Sequence, residues 1–268
     1  MTSDGAGVQA TITYIAPMAE RPRYYQYDPP PGTPRRNTQP DPRIVAVHDA
    51  RDTGATLDAD GFTMAALATA VDDLYDTDAV RRRYYREVEA LVKATTKARR
   101  VVAFDHNTRS GTRTERAESG LQPPVFRAHN DYTERSGPQR VRDLFPDEAE
   151  GLLRDRFAVI NVWKPIRGPV ESSPLGVCAA PTIGAEELVV TDLVYRDRTG
   201  EIYSLTFSPA HRWYYYPRMR ADEAMLLKCY DSDHRLARFT AHSAFDDPTT
   251  PSDAPTRESI EVRTLAFF

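Results

Sequence analysis

His129 and Asp131 stand one residue apart in "RAHNDYTERSGPQRV", residues 127–141. Non-haem Fe(II) oxygenases bind their metal on one face through two histidines and one carboxylate, which leaves three positions open. On a strand or at its end, residues i and i+2 point to the same side, so these two side chains can reach one ion together. Such a site needs a second histidine from a distant segment. Of the six histidines in the chain, His211, His234 and His242 lie far enough downstream. His234, in "YDSDHRLAR", reads as part of an exposed turn, and His211 opens an aromatic strand, where it either faces a pocket or caps a turn. His242, in "ARFTAHSAF", is set apart by its downstream neighbours: fifteen residues on comes "TRESIEV", with Arg257 and Ser259. An arginine and a serine spaced i, i+2 offer a guanidinium fork and a hydroxyl to one carboxylate. That chemistry suits the distal carboxylate of 2-oxoglutarate while its keto-acid end chelates iron. Arg263 is a second possible anchor, because "RESIEVR" carries two arginines. The bland alternative is that His129 and Asp131 cap a turn and Arg257 makes a surface ion pair.

Other residues invite weaker assignments. Asn161 and Trp163, two apart in "INVWKPI", share a face: Trp163 would line the substrate cavity or fill a core, and Asn161 would hydrogen-bond the cosubstrate or sit as a satisfied buried amide. Arg109 follows the strand "VVAFDHNTR" and can meet a substrate carboxylate. Tyr132 is next to the His-Asp pair and can gate a pocket. Glu258, between Arg257 and Ser259, points the other way and reads as structural.

The segments that must position these residues are mostly strand-like. "RVVAFDHNT", "PVFRAHNDY", "FAVINVWKP", "ELVVTDLVY", "EIYSLTF", "RWYYYP", "AMLLKCYDS" and "IEVRTLAFF" are short, rich in β-branched or aromatic residues, and separated by turn chemistry. Ahead of them, Val80, Tyr84, Val88, Leu91 and Val92 recur at helical spacing and predict an amphipathic helix over 78–98. A less regular stripe predicts helix near 139–154, with Pro146 starting a new turn. "VQATITYI" and "RIVAVHDAR" read as strands. Between them, residues 21–43 hold seven of the 21 prolines and predict an extended arm packed on the body through Tyr24, Tyr25 and Tyr27. The pattern is a mainly β fold with flanking helices, a sandwich or jelly roll. We expect a single domain over 1–268, with 1–43 an N-terminal strand and arm and about 100–268 the barrel core.

Composition removes several function classes. A net charge of −4 argues against nucleic-acid and acidic-membrane partners, and "RRR" at 81–83 reads as a solvated helix face. No apolar run approaches membrane-spanning length. The N-terminal "MTSDGAGVQATITYIAP" lacks the basic and apolar regions of a secretory leader. Two cysteines, Cys178 and Cys229, build neither a disulfide framework nor a cysteine-rich metal site, and suit a reducing, cytoplasmic setting.

Longer blocks carry a resemblance. "VFRAHNDYTERSGPQRV", "INVWKPIRGPVESSPLGVC", "HRWYYYPRMRADEAMLLKCYDS" and "AHSAFDDPTTPSDAPTRESIEVR" resemble the signature blocks of the CmcJ/NvfI/asaB-like oxygenases, from about residue 100 to the C-terminus. The resemblance implies a double-stranded β-helix, Fe(II), and 2-oxoglutarate with O₂ as cosubstrates. It implies hydroxylation, desaturation or oxidative cyclisation of a small secondary metabolite. By motif position, His129, Asp131 and His242 would bind iron, and Arg257 with Ser259 would hold 2-oxoglutarate. It also leaves room for an accessory role beside a second pathway enzyme, or for an iron oxidase that works without the keto acid.

Overall fold

A computed structural model describes residues 7–110 and 122–268. In chain order its elements are β1 (Val8–Ile15), β2 (Arg23–Tyr25), β3 (Pro40–Asp49), β4 (Phe62–Ala66), α1 (Thr77–Ala79), α2 (Tyr85–Thr96), β5 (Arg100–Ser110) and β6 (His129–Asn130). There follow α3 (Ser136–Leu144), α4 (Ala149–Leu152), β7 (Phe157–Pro165), β8 (Leu175–Cys178), β9 (Leu188–Val194), β10 (Thr199–Leu205), β11 (Trp213–Tyr215), β12 (Glu223–Asp231), β13 (His242–Ala244) and β14 (Glu258–Phe267). The strands form two sheets, one of nine in the order β1-β3-β11-β8-β13-β6-β10-β9-β2 and one of five, β4-β12-β7-β14-β5. This is the mainly β, jelly-roll class expected from the sequence.

The small sheet has apolar side chains on both faces, which is why β7 is apolar on either side apart from Asn161 and Lys164. Ala158, Ile160 and Val162 of β7 join Ile260, Val262 and Ala266 of β14 in a core with the helical segment. Phe157, Val159 and Trp163 face the opposite way, into a core that includes residues of the nine-stranded sheet such as Val177. The helical segment supplies Val80, Tyr84, Val88 and Val92, each fully buried, as their spacing predicted. It is not uniform: a π-helical turn over Val80–Tyr84 joins α1 to α2. Asp76 caps its start by accepting from the N–H groups of Asp78 and Ala79, and Lys97 ends it in a left-handed conformation. Arg81, Arg82 and Arg83 are exposed.

The proline-rich arm packs on the body. Its β2 pairs in parallel with β9, Tyr24 is buried, and the Arg127 guanidinium lies 4.5 Å over the Tyr24 ring. Residue 100 does not mark the start of the sheets, because β1, β2, β3 and β4 are built into them. Among the described residues, no helix is long and apolar enough to cross a membrane.

Candidate metal centre

The strand bearing His129 is far shorter than "PVFRAHNDY" suggests. Only His129 and Asn130 pair, with Ser204 and Tyr203 of β10. His242 lies at the start of β13, directly opposite His129 in the ladder. The two imidazole centroids are 4.4 Å apart. Asp131, one residue beyond β6, turns its Oδ1 to within 3.5 Å of His129 Nε2 and 4.0 Å of His242 Nε2. One ligand atom from each of the three lies within 4.8 Å of those of the other two.

Polar contacts aim these atoms. The Nδ1 of His129 is 2.7 Å from the Arg127 carbonyl, and that of His242 is 3.2 Å from the Thr240 carbonyl. A carbonyl only accepts, so each Nδ1 is the donor to its carbonyl, and it is Nε2 that each ring turns toward the other two side chains. Asp131 Oδ2 accepts from Asn161 Nδ2 at 2.8 Å and Arg263 Nε at 3.1 Å, which leaves Oδ1 for an ion. Burial works to raise the Asp131 carboxyl, but the charge of Arg263 and the contact with His129 hold it well below the usual carboxylate range. Burial, helped by His129, lowers His242 to about 4. At neutral pH, therefore, the His242 imidazole is neutral and the Asp131 carboxylate ionised, as metal ligation requires.

Neighbouring segments fix these short strands. Asn130 Nδ2 donates to the carbonyls of Tyr132 and Cys229. Thr240 Oγ1 donates to the Gly61 carbonyl at 2.8 Å. Gly61 has φ +87°, and a Cβ there would stand 2.1 Å from Thr240 Oγ1, so glycine is required where this turn meets the His242 segment.

The facing wall comes from the small sheet. Ser259, Glu261 and Arg263 alternate along β14 onto the cavity that holds His129, Asp131 and His242, and Arg257 lies just before the strand. Register sets Trp163 of β7 and Asn107 of β5 beside Glu261, and Arg109 of β5 beside Ser259. Arg257 is buried, its guanidinium carbon is 5.4 Å from the Trp163 ring centre, and its Nη1 donates to the Ser173 carbonyl. Its Nε has no partner among the described residues, and neither has Asn161 Oδ1. A buried donor without a partner is expensive, and fits a ligand that supplies an acceptor.

Arg263 differs. Its Nε reaches Asp131, its Nη1 reaches Asp105 at 2.9 Å, and its Nη2 reaches Glu261 at 3.3 Å. Glu261 was not singled out in the sequence, although period two from Ser259 leads to it; burial and the charge of Asp131 raise its carboxyl.

The remaining candidates divide. Asn161, Trp163 and Arg109 are brought to the centre, Asn161 through its bond to Asp131. Tyr132 lines a separate cavity of about 430 Å³ that also touches Asp131 and Arg263. His211 is elsewhere: its Nε2 is 2.8 Å from Glu187 Oε2, its Nδ1 3.3 Å from the Tyr14 hydroxyl, and its ring stacks on Tyr14. The reading of His211 as a pocket residue is corrected accordingly, since both its nitrogens are spent in the β1–β11 region. Glu258, expected to be structural, turns to the hydroxyl of Tyr75.

Residues 12–267 match the family described as Oxidoreductase/YMDC permease-like domain. The chain is 37% identical over 254 residues to the Fe(II)/2-oxoglutarate-dependent dioxygenase nvfI of Aspergillus novofumigatus (strain IBT 16806), covering 91% of this chain and 90% of the relative. It is 33% identical over 269 residues to the alpha-ketoglutarate-dependent dioxygenase phiK of Fungal sp. (strain ATCC 74256), covering 97% and 96%. The solved structure of the iron and alpha-ketoglutarate-dependent endoperoxidase NvfI superposes with a TM-score of 0.89 at 33% identity, over 97% of this chain and 98% of that one. The chain belongs to the NvfI- and asaB-like oxygenase family that these proteins represent.

Proposed function

We propose that the protein is an Fe(II)/2-oxoglutarate-dependent oxygenase acting on a small secondary metabolite, with His129, Asp131 and His242 holding the metal. The observation that carries this reading is the convergence of the two imidazole Nε2 atoms and the Oδ1 of Asp131 within 4.8 Å of one another, in the cavity lined by Arg257 and Ser259. Fe(II) held there supplies O₂ activation coupled to oxidative decarboxylation of the keto acid to succinate and CO₂. Arg257, whose Nε has no partner among the described residues, and the Ser259 hydroxyl receive the distal carboxylate of 2-oxoglutarate. Arg263 is already committed to three carboxylates, which favours Arg257 as the anchor and gives Arg263 the task of orienting Asp131. Trp163 covers the Arg257 guanidinium and keeps water from its face.

The 430 Å³ cavity beside Asp131 and Arg263 falls within the usual range for small-molecule sites, about 300–1,000 Å³, and is the proposed seat of the metabolite. The protein is read as one oxygenase domain, since the arm adds strands to the sheet that carries the metal residues. A cytoplasmic setting is supported by two free, buried cysteines.

The test is anaerobic. Iron-loaded protein should develop a weak visible absorption as 2-oxoglutarate chelates the metal, and on admission of O₂ should release succinate. If no band forms at saturating keto acid with iron fully loaded, the 2-oxoglutarate reading fails.

A further inference from the structure

Two guanidinium groups enter the cosubstrate side of the cavity from adjacent strands. Arg109 on β5 stands directly opposite Ser259 on β14, and Arg257 lies two residues before Ser259. All three line the cavity. Among the described residues neither arginine makes an ion pair. Arg109 Nη1 donates to Gln122 Oε1 at 3.3 Å and the Pro123 carbonyl at 2.9 Å, and Arg257 donates to the Ser173 carbonyl. The nearest carboxylate on that face of β14, Glu261, lies two residues beyond Ser259 and is turned to Arg263.

Two guanidinium groups lining one cavity repel each other; the charge of Glu261 offsets this only in part and from a distance, so a carboxylate placed between them would relieve both. Burial, with the charge of Arg109 added, lowers Arg257 to about 9, and burial lowers Arg109 as well. Arg263, a few residues along the same face, shows the contrasting case: three carboxylates surround it and its proton is held well above the ordinary range, against the effect of burial. A carboxylate in direct contact is what Arg263 has and what Arg109 and Arg257 lack among the described residues.

We propose that Arg109 is a second cationic ligand for the distal carboxylate of 2-oxoglutarate, closing a two-guanidinium clamp around Ser259 and setting the demand for a dicarboxylic keto acid. The inference rests on the keto-acid reading of Arg257 above. It moves Arg109 from the substrate, where the sequence placed it, to the cosubstrate. Its position opposite Ser259 is the reason.

The experiment titrates iron-loaded protein anaerobically with 2-oxoglutarate and with 2-oxobutanoate, following the visible band. The second acid keeps the chelating head and lacks the distal carboxylate. Arg109→Met should weaken 2-oxoglutarate about ten- to hundredfold, as loss of a hydrogen bond to a charged group does, and leave 2-oxobutanoate unchanged. Arg109→Lys should recover part of the preference, since it keeps the charge and loses the fork. If Arg257→Met weakens 2-oxoglutarate and Arg109→Met does not, the clamp is disproved while the anchor stands. Equal weakening of both acids also overturns it, because Arg109 would then act on the chelating head or on the fold. Should Arg257→Met itself leave 2-oxoglutarate binding intact, the underlying reading fails separately. If the methionine variant does not fold, Arg109→Lys decides alone: an undiminished preference for the dicarboxylate, with full iron occupancy, sinks the proposal.

Discussion

The two sheets that meet at the centre hold their functional side chains by different means. On β14, β7 and β5, long ladders do the work. Ten residues of β14 pair with β5 and nine with β7, so alternation alone delivers Ser259, Glu261 and Arg263 to the cavity. On the facing sheet, β6 has two residues and β13 three. Alternation cannot aim a side chain on so short a strand, and each metal residue is fixed one bond at a time. Arg127 and Thr240 hold the imidazoles, Asn130 ties β6 to Cys229, and Asn161 with Arg263 reaches across to hold Asp131. The small sheet is therefore both a wall of the cavity and the brace of its partner. Substitutions in the three metal residues should abolish chemistry without greatly disturbing the fold, whereas substitutions in the brace should be felt in both.

The largest expected effect tests the first half of that contrast. His129→Ala, Asp131→Ala and His242→Ala should each bring iron occupancy to background and end succinate release, because each removes one of the three proposed ligands. Metal analysis of purified protein checks this. His211→Ala serves as the control; were it to lose iron while His242→Ala kept it, the third ligand would be misassigned.

Next comes Arg263→Ala. It leaves the buried carboxylates of Asp131 and Glu261 without their shared guanidinium, while Asp105 stays in water, and breaking a buried pair in this way costs about 3–5 kcal/mol. Denaturant unfolding of the metal-free protein should show it, together with weaker iron binding. A variant that unfolds like the parent but binds 2-oxoglutarate poorly would return Arg263 to the anchor's role.

The same contrast explains what could be read from the sequence. The long strands and the helical stripe were legible because periodicity accumulates over eight or more residues: "FAVINVWKP" is β7 to the residue. β4, β8 and β13 were not, since five, four and three residues give no period to detect. His242 opens the shortest of these three. The three side chains that the fold brings together were reachable through chemistry instead, by His-x-Asp and by the distance from His242 to Arg257. Glu261 was missed although its signal was present, because a carboxylate between two arginines looks like surface charge. The bond from Asn161 to Asp131 joins residues thirty apart on different sheets, which spacing alone does not connect.

That bond sets the third prediction. Asn161→Leu removes a donor from Asp131 Oδ2 while keeping β7 apolar and paired. Changes to groups that orient a metal ligand cost about ten- to hundredfold in metal affinity, and Arg263 still holds the same oxygen, so the lower end is expected. Competition with a chelator measures it. An unchanged affinity would mean that Arg263 alone orients Asp131, and the brace would reduce to one residue.

The smallest effect belongs to His211, and it marks where the site ends. The imidazole bridges Glu187 and the Tyr14 hydroxyl, and that hydroxyl also accepts from Trp213 Nε1 at 2.7 Å. Glu187 keeps a second partner in the Gly184 N–H. His211→Gln retains one amide donor for Glu187 and loses the contact with Tyr14, so the net loss is about one hydrogen bond, roughly 0.5–1.5 kcal/mol of unfolding free energy. Iron stoichiometry and the keto-acid band should both match the parent, because β11 and the loop before it contribute nothing to the cavity around Asp131. A stability loss with unaltered binding would place the boundary of the metal centre at β8 and β13. A drop in iron affinity would instead show that the ladder from β11 through β8 to β13 transmits strain to His242, and the division between aimed and braced residues would need a third member.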